Sequence, residues 1–409
     1  MKIYISILCV IFCLFACSNE KKTLTEAELK EKATDLAQKI IIIDTHLDVP
    51  DRLHKKFEDI SMKTESGNFD YPRAKQGGLN VPFMAIYVPA EYEKKGGAKA
   101  YADSLIDMVE NFEKNWPDKF VLVASVADIK KQFGSGKILL AMGMENGSSI
   151  EGKLENLKYF FDRGIRYITL AHSENNHICD SSFDEKPKWN GLSPFGKEVI
   201  FEMNRLGIMI DISHVTDSTF YQVIKFSKAP VIASHSACRH FTPGWERNMS
   251  DDMIKLLAKN NGVIQIHFGS YCINKEIYIN ETDNWAHCKK YYKENNLKDD
   301  SEEAYKYFQK YYQEHPIGDA YASDIAANID HVVKLVGVDY VGLGSDFDGV
   351  WDLLPVDLKD VSGYPQLIYE LLKLGYSDDD IKKICSGNIL RVWLDVVKIS
   401  QKLKETDPY

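Results

Sequence analysis

The sequence predicts a single (β/α)8 barrel of the TIM type, with an insertion after strand seven and C-terminal helices. Three observations predict it. Eight short β-rich runs recur along the 409 residues, most of them near-continuously apolar, as parallel strands covered on both faces are. Helical patterns separate these runs, so strand and helix alternate. Polar residues able to do chemistry follow the runs directly, at the rim where barrels gather catalytic groups. A doubly wound open sheet shares the alternation, but no G-x-G-x-x-G follows the first run. A composition of 44% hydrophobic and 27% charged residues is globular, which rules out a disordered chain or a multi-span membrane protein. Acidic residues outnumber basic ones, 60 to 50, for a net charge of −10, so no basic excess exists to bind nucleic acid.

The chain begins outside the barrel. Lys2 precedes an apolar run from Ile3 to Ala16. A membrane span takes about 20 apolar residues, so this run is too short to cross but long enough for a signal peptide. It ends in Leu14-Phe15-Ala16-Cys17, which resembles the lipobox of bacterial lipoproteins, where the cysteine becomes the lipidated first residue. That resemblance implies a signal peptide over 1–16 and lipidation at Cys17. A tether with a short helix then covers 17–39, and the barrel domain covers 40–409. It also implies a bacterial cell-envelope location, lipid-anchored at the outer membrane on its periplasmic or outer face. Five further cysteines, Cys179, Cys238, Cys272, Cys288 and Cys385, contain no C-x-x-C and so no zinc knuckle. Their odd number leaves at least one free thiol; a Cys238–Cys272 pairing stays open.

Each element follows from its pattern. Residues 23–39 read as an amphipathic helix. The strand runs are 40–45, 81–88, 138–144, 165–171, 208–213, 230–234, 262–268 and 340–345. Helical spacing covers 98–115, 151–163, 195–206, 216–226, 250–260 and 322–336. Gly164 and Gly207 stand just past two of these, where a helix end favours glycine. Residues 273–320 are rich in charge, Tyr and Lys with little apolar periodicity, and read as an insertion in the loop after strand seven. Residues 364–404 read as terminal helices, with Ser377 as an N-cap and Asp378, Asp379 and Asp380 in the first turn.

Chemistry-bearing residues recur at the strand ends. Strand one ends in Asp44-Thr45-His46-Leu47-Asp48, and on an extended strand His46 and Asp48 share a face. Strand three ends at Glu145, strand four runs into His172, strand five into His214, strand six holds His235, and strand eight runs into Asp346. A lone H-x-D is a weak signal; the recurrence is a strong one. His46, Asp48, His214, His235 and a bridging Glu145 suit two zinc-like ions, with manganese or cobalt also served by nitrogen and oxygen ligands. Two such ions about 3.5–4 Å apart share a hydroxide and polarise a carbonyl. Asp346 is then placed to hold and pass that hydroxide's proton.

These residues, in this order, resemble the membrane (renal) dipeptidase family of metallopeptidases, within the amidohydrolase superfamily. The resemblance rests on D-T-H-L-D at 44–48, R-Y-I-T-L-A-H at 166–172 and G-L-S-P-F-G-K-E-V-I at 191–200. It continues with E-M-N-R-L-G-I-M-I-D-I-S-H at 202–214, P-V-I-A-S-H-S at 230–236, G-L-G-S-D-F-D-G at 342–349 and G-N-I-L-R-V at 387–392. It implies two zinc ions per chain (Mn or Co as substitutes), with His46 and Asp48 on one, His214 and His235 on the other, and Glu145 between them. It further implies that His172 contacts the tetrahedral intermediate, that Arg247 binds the substrate's terminal carboxylate with Tyr271 assisting, and that Asp346 is the general acid and base. The activity implied is zinc-dependent hydrolysis of dipeptides, including those with a C-terminal D-residue, by a metal-bridging hydroxide. The partners implied are small dipeptides and, through the lipid, a membrane; the chain is compatible with a homodimer. Three departures bear on substrate preference. Asn146 follows Glu145 where the family has glycine, the 175–180 stretch lacks the Pro and Trp familiar in the animal enzymes, and the insertion is long.

Two rivals stand beside this reading. Another amidohydrolase acting on a cyclic amide or ester is one, although many of those bridge their metals with a lysine on strand four, where this chain has none. A catalytically silent binding lipoprotein is the other, against which the complete ligand set argues.

Overall fold

The computed structural model describes residues 24–299 and 301–406. The proposed signal peptide and the lipidation site Cys17 lie outside the described residues. Nine strands run in chain order: β1 (Ile42–Leu47), β2 (Leu79–Tyr87), β3 (Phe120–Leu122), β4 (Ile138–Glu145), β5 (Ile165–Thr169), β6 (Met209–Asp211), β7 (Ile232–Ser236), β8 (Val263–Ile266) and β9 (Val341–Leu343). Eight of them pair in parallel in the order β1-β2-β4-β5-β6-β7-β8-β9, while β3 pairs outside this path with β4. The barrel closes where Leu47 pairs with Phe347. Asp48 N–H donates to the Phe347 carbonyl at 2.8 Å and Asp346 N–H to the His46 carbonyl at 3.0 Å. Residues of the candidate site therefore make the closing bonds themselves.

All eight sequence-read strands are present; the short β3 is an addition, three residues of edge strand that a periodicity argument cannot resolve. Inside the barrel, Ile43, Phe83, Ala141, Tyr167, Met209, Ile232 and Val263 pack with Trp393 and Val396 of the terminal Asn388–Thr406 helix. That helix plugs the end opposite the candidate site. The helix read at 23–39 is Glu26–Lys39, opened by a capping box between Thr25 and Glu28. Ser377 caps its helix as read. All five described cysteines are free and buried, so Cys238 and Cys272 are not bonded to each other.

The insertion follows β8, the seventh barrel strand. Its content corrects the reading of 273–320 as aperiodic: two helices, Lys275–Glu294 and Glu302–Glu314, pack together. Cys288 and Tyr292 on one, and Ala304, Phe308 and Tyr312 on the other, are buried at four-residue spacing. The period is carried by tyrosine, whose hydroxyl disguises a ring that packs like any other apolar surface. Trp351, in the loop after β9, sits against Trp285 and Phe308 and ties the hairpin to the site's rim.

Candidate metal centre

Every charged or imidazole residue read from the strand ends lies at the C-terminal rim, and the set converges. Glu145 ends β4, and His235 lies within β7. His172, His214 and Asp346 follow the ends of β5, β6 and β9 by three residues. Asp48 arrives by a different route from the one expected. It stands beyond β1 as the N-cap position of the Val49–Lys55 helix, and the β1–β2 register slips by one residue between Asp44 and Leu47. A slip of this kind re-aims a strand end. The outcome is still convergence, with His46 Nε2 lying 3.6 Å from Asp48 Oδ2, 3.4 Å from Glu145 Oε2 and 3.8 Å from Asp346 Oδ1.

On the other side of Glu145, its Oε1 lies 3.1 Å from His214 Nε2 and 3.2 Å from His235 Nε2, and those two nitrogens are 2.8 Å apart. His172 Nε2 stands 3.9 Å from the same oxygen. Three groups form whose potential ligand atoms all lie within 4.8 Å of one another: His46–Glu145–His235, Glu145–His172–His214 and His46–Asp48–Asp346. Glu145 belongs to two of them and His46 to two, as a site with shared ligands requires.

Supporting hydrogen bonds fix which nitrogen faces the centre. Tyr167 donates its hydroxyl proton to the Thr45 carbonyl at 2.9 Å, so its oxygen accepts from His46 Nδ1 at 2.8 Å. Ser234 donates to Asp211 Oδ2 at 2.5 Å and accepts from His235 Nδ1 at 2.7 Å. In both histidines the Nδ1 proton is spoken for, and the Nε2 lone pair points inward, the arrangement metal-ligating imidazoles share. Burial, with His46 beside it, pushes His235 down to about 4, so its lone pair is free at neutral pH. Burial and the neighbouring Arg247 likewise hold His214 well below the usual histidine range. Burial opposes charge on His46, but Tyr167, Glu145 and Asp48 outweigh it and hold this imidazole well above its ordinary value, so a cation that takes the Nε2 lone pair displaces a proton from it. Burial and the adjacent Asp346 and Glu145 raise Asp48. His46 Nε2, Asp48 Oδ1 and His214 Nδ1 are buried without a hydrogen-bond partner among the described residues. Acceptors outnumber donors here, and a divalent cation is the group that satisfies such a cluster.

Asp346 has a partner that the strand-end reading passed over. His267, directly after β8, brings Nε2 to 2.8 Å from Asp346 Oδ2 and accepts the Gly269 N–H at Nδ1, 2.7 Å away. Its proton therefore sits on Nε2 and is donated to the carboxylate. Burial works against ionising Asp346, but the hydrogen bond from His267, with His46 nearby, outweighs it and holds the carboxyl well below the usual range. The signal was available, since His267 directly follows the strand Val263–Ile266, apolar but for Gln265, much as the other residues follow theirs.

Arg247 is buried beside the centre. It donates to the His235 carbonyl at 2.7 Å, to Ser236 Oγ at 2.9 Å and towards His214 Nε2 at 3.2 Å. Among the described residues this engages three of a guanidinium's five N–H groups, both on Nη2 and one on Nη1, and leaves a buried positive charge beside the centre. Tyr271 lies in the same sector, its ring 6.2 Å from that of His267. The backbone bends sharply around the centre: His214, Asp346 and Asp348 have φ of 68°, 62° and 70°. Strained backbone of this kind concentrates at functional sites.

The family model for membrane dipeptidases, peptidase family M19, matches residues 30–407. The chain belongs to the membrane dipeptidase family. It is accordingly a hydrolase of the metallopeptidase class, and the convergent His, Asp and Glu groups are able to bind metal. Among relatives of this dipeptidase, the dipeptidase aclJ of Aspergillus oryzae is 32% identical over 349 residues, 84% of this chain and 73% of its own. The dipeptidase verJ of Clonostachys rogersoniana is 32% identical over 393 residues, 92% of this chain and 89% of its own. The crystal structure of the probable dipeptidase PvdM from Pseudomonas aeruginosa superposes with a TM-score of 0.79 at 26% identity, covering 91% of this chain and 99% of that one. A metallopeptidase from Rhodobacter sphaeroides, liganded with a phosphinate mimic of the dipeptide L-Ala-D-Ala, shares the fold at a TM-score of 0.71 and 23% identity, covering 87% and 99%.

Asn146 stands directly behind Glu145, where the resemblance leads to an expectation of glycine, and its conformation suits asparagine. Its φ is 73°, a left-handed conformation that asparagine accepts better than other side-chain-bearing residues. Its amide donates to the Val88 carbonyl at 2.8 Å and accepts from Ser148 N–H at 3.2 Å, which holds the turn behind Glu145.

Proposed function

We propose that this dipeptidase holds two zinc ions and hydrolyses the single amide bond of free dipeptides, including those whose C-terminal residue is D. The observation that carries this is the pairing of two inward-facing imidazole lone pairs, His46 Nε2 and His235 Nε2, around one shared carboxylate, with the buried Arg247 alongside. His46 and Asp48 would hold one ion and His214 and His235 the other, with Glu145 shared between them; manganese or cobalt would fit the same donors. Bound there, the ions supply Lewis-acid polarisation of the scissile carbonyl and a more acidic water.

The chain's own residues do the rest. Arg247 binds the C-terminal carboxylate by charge and its remaining N–H donors, with Tyr271 beside it, which sets the distance from that terminus to the bond cleaved and limits length to two residues. Asp346, kept ionised and oriented by His267, takes the proton of the attacking water at Oδ1 or Oδ2 and delivers it to the leaving nitrogen. Water adds to the carbonyl carbon, the C–N bond breaks, and a carboxylate and an amine leave. His172, kept neutral by burial, donates from Nε2 to the oxygen that becomes negative at the tetrahedral carbon.

The test is a panel of L-L and L-D dipeptides against the same peptides amidated at the C-terminus, with metal-loaded enzyme. Free dipeptides turn over and amides do not. Equal hydrolysis of free and amidated peptides removes Arg247 from its role, and a flat panel at full metal occupancy returns the site to a cyclic amide, an ester or a silent binding protein.

We also propose that lipid on Cys17 anchors the enzyme to the bacterial envelope. Metabolic fatty-acid labelling that is lost in Cys17→Ser supports this; label retained in that variant contradicts it.

A further inference from the structure

Phe183 is 46% exposed, yet its ring lies 5.6 Å from that of His214. The loop presenting it is firmly held. Ser182 N–H donates to the His214 carbonyl at 2.8 Å and Phe183 N–H to Ser181 Oγ at 3.2 Å. The Asp180 carboxylate gathers the backbone N–H groups of Lys188, Trp189 and Gly191. An aromatic ring fixed in solvent at the edge of a catalytic centre costs hydration unless something covers it in use.

Phe183 is the start of an arc of rings. Trp245, two residues before Arg247, meets it edge-on at 6.3 Å. Trp245 then stacks on Tyr278 at 5.1 Å and lies 6.0 Å from Tyr271, whose ring is 6.2 Å from that of His267. The arc therefore begins at His214, ends beside the Asp346 partner, and borders the sector that contains Arg247. Tyr278 is contributed by the first inserted helix, Lys275–Glu294. A residue whose carboxylate sits on Arg247 has its own side chain one carbon away, next to this wall.

Resting on the dipeptidase reading, we propose that Phe183, Trp245 and Tyr278 form the wall of a subsite for the side chain of the substrate's C-terminal residue, selecting apolar and above all aromatic residues there. Stacked and edge-on contacts reward a ring in that position, and a charged side chain would give up water for no opposite charge on the wall. The insertion then has a function as a specificity element, as rim loops commonly do on barrels.

The experiment compares kcat/KM of the metal-loaded full chain for Gly-Phe, Gly-Leu, Gly-Gly, Gly-Asp and Phe-Gly. Gly-Phe is expected to exceed Gly-Gly by about tenfold or more, the worth of covering one large apolar side chain. Phe183→Ala and Tyr278→Ala are expected to erase most of that ratio through KM; Tyr278→Phe retains it. A wild type that prefers Gly-Gly or Gly-Asp overturns the proposal. So does an equal loss on every dipeptide in both alanine variants, which marks a structural role, or a benefit confined to Phe-Gly, which places the wall under the other residue. If no dipeptide is cleaved at all, the underlying dipeptidase reading fails instead.

Discussion

His267 shows how a single side chain sets another's chemistry. Its Nδ1 is occupied by a backbone N–H, so its Nε2 proton can go only to Asp346. His267→Leu removes that donor and is expected to lower kcat by about tenfold or more with little change in KM, whereas His267→Asn, which keeps an N–H, recovers part of the loss. Steady-state kinetics on both variants separates this from general damage, which would move KM and the melting temperature as well. Gly349 is the other residue under tight constraint. A Cβ at this position would meet Asp346 Oδ1 and Asp48 Oδ2, each at 2.3 Å. Gly349→Ala is therefore expected to displace the carboxylates and reduce metal retention, read as metal content after dialysis, without unfolding the barrel. At this scale most of the site was legible in the sequence, because His46, Glu145, His214, His235 and Asp346 each follow an apolar run. His267 obeyed the same rule but lacked a motif of its own. Phe183 and Tyr278 gave no signal, since an aromatic residue in a loop is ordinary until its neighbours in space are known.

The insertion teaches the same lesson for an element. Its tyrosines looked polar, and the four-residue spacing of Ala304, Phe308 and Tyr312 was hidden among lysines and glutamates. Within it, burial pushes the Glu281 carboxyl up to about 7, against a weak opposing contact from the Tyr312 hydroxyl. A carboxyl raised in the folded state binds its proton more tightly there than in the unfolded chain. Stability is therefore greatest below the unfolded value of 4.5 and declines as pH rises towards about 7. The full shift corresponds to roughly 3 kcal/mol as an upper bound. Thermal melts between pH 4.5 and 8 are expected to show Glu281→Gln losing less stability than the wild type across that window. Parallel curves would mean that Glu281 ionises freely. The barrel strands were easier to read than the insertion because burial on both faces forces uninterrupted apolar runs, a constraint that a surface hairpin escapes.

For the whole molecule, the closure of the barrel and the assembly of the site are one event. Asp48 and Asp346 donate backbone N–H groups across the β1–β9 seam while their side chains meet at the centre. A cation that binds only the folded arrangement must therefore stabilise the entire fold, by about 3 kcal/mol at a hundredfold excess over Kd. Saturating zinc is expected to raise the melting temperature by several degrees, and chelation to reverse it. The topology was legible from the alternation of strands and helices; the seam was not, because β9 is only three residues long and its pairing with β1 rests on the turn at Asp346. On the proposed mechanism, the converging His, Asp and Glu side chains hold the metal on which dipeptide cleavage depends. The rate of Gly-Phe hydrolysis, followed through exhaustive chelation and zinc add-back, tests it most directly. Activity should vanish on chelation and return as zinc approaches two ions per chain, about the number a shared-carboxylate site holds. Turnover that persists in fully metal-free protein, or a fully loaded protein that cleaves nothing, would contradict it.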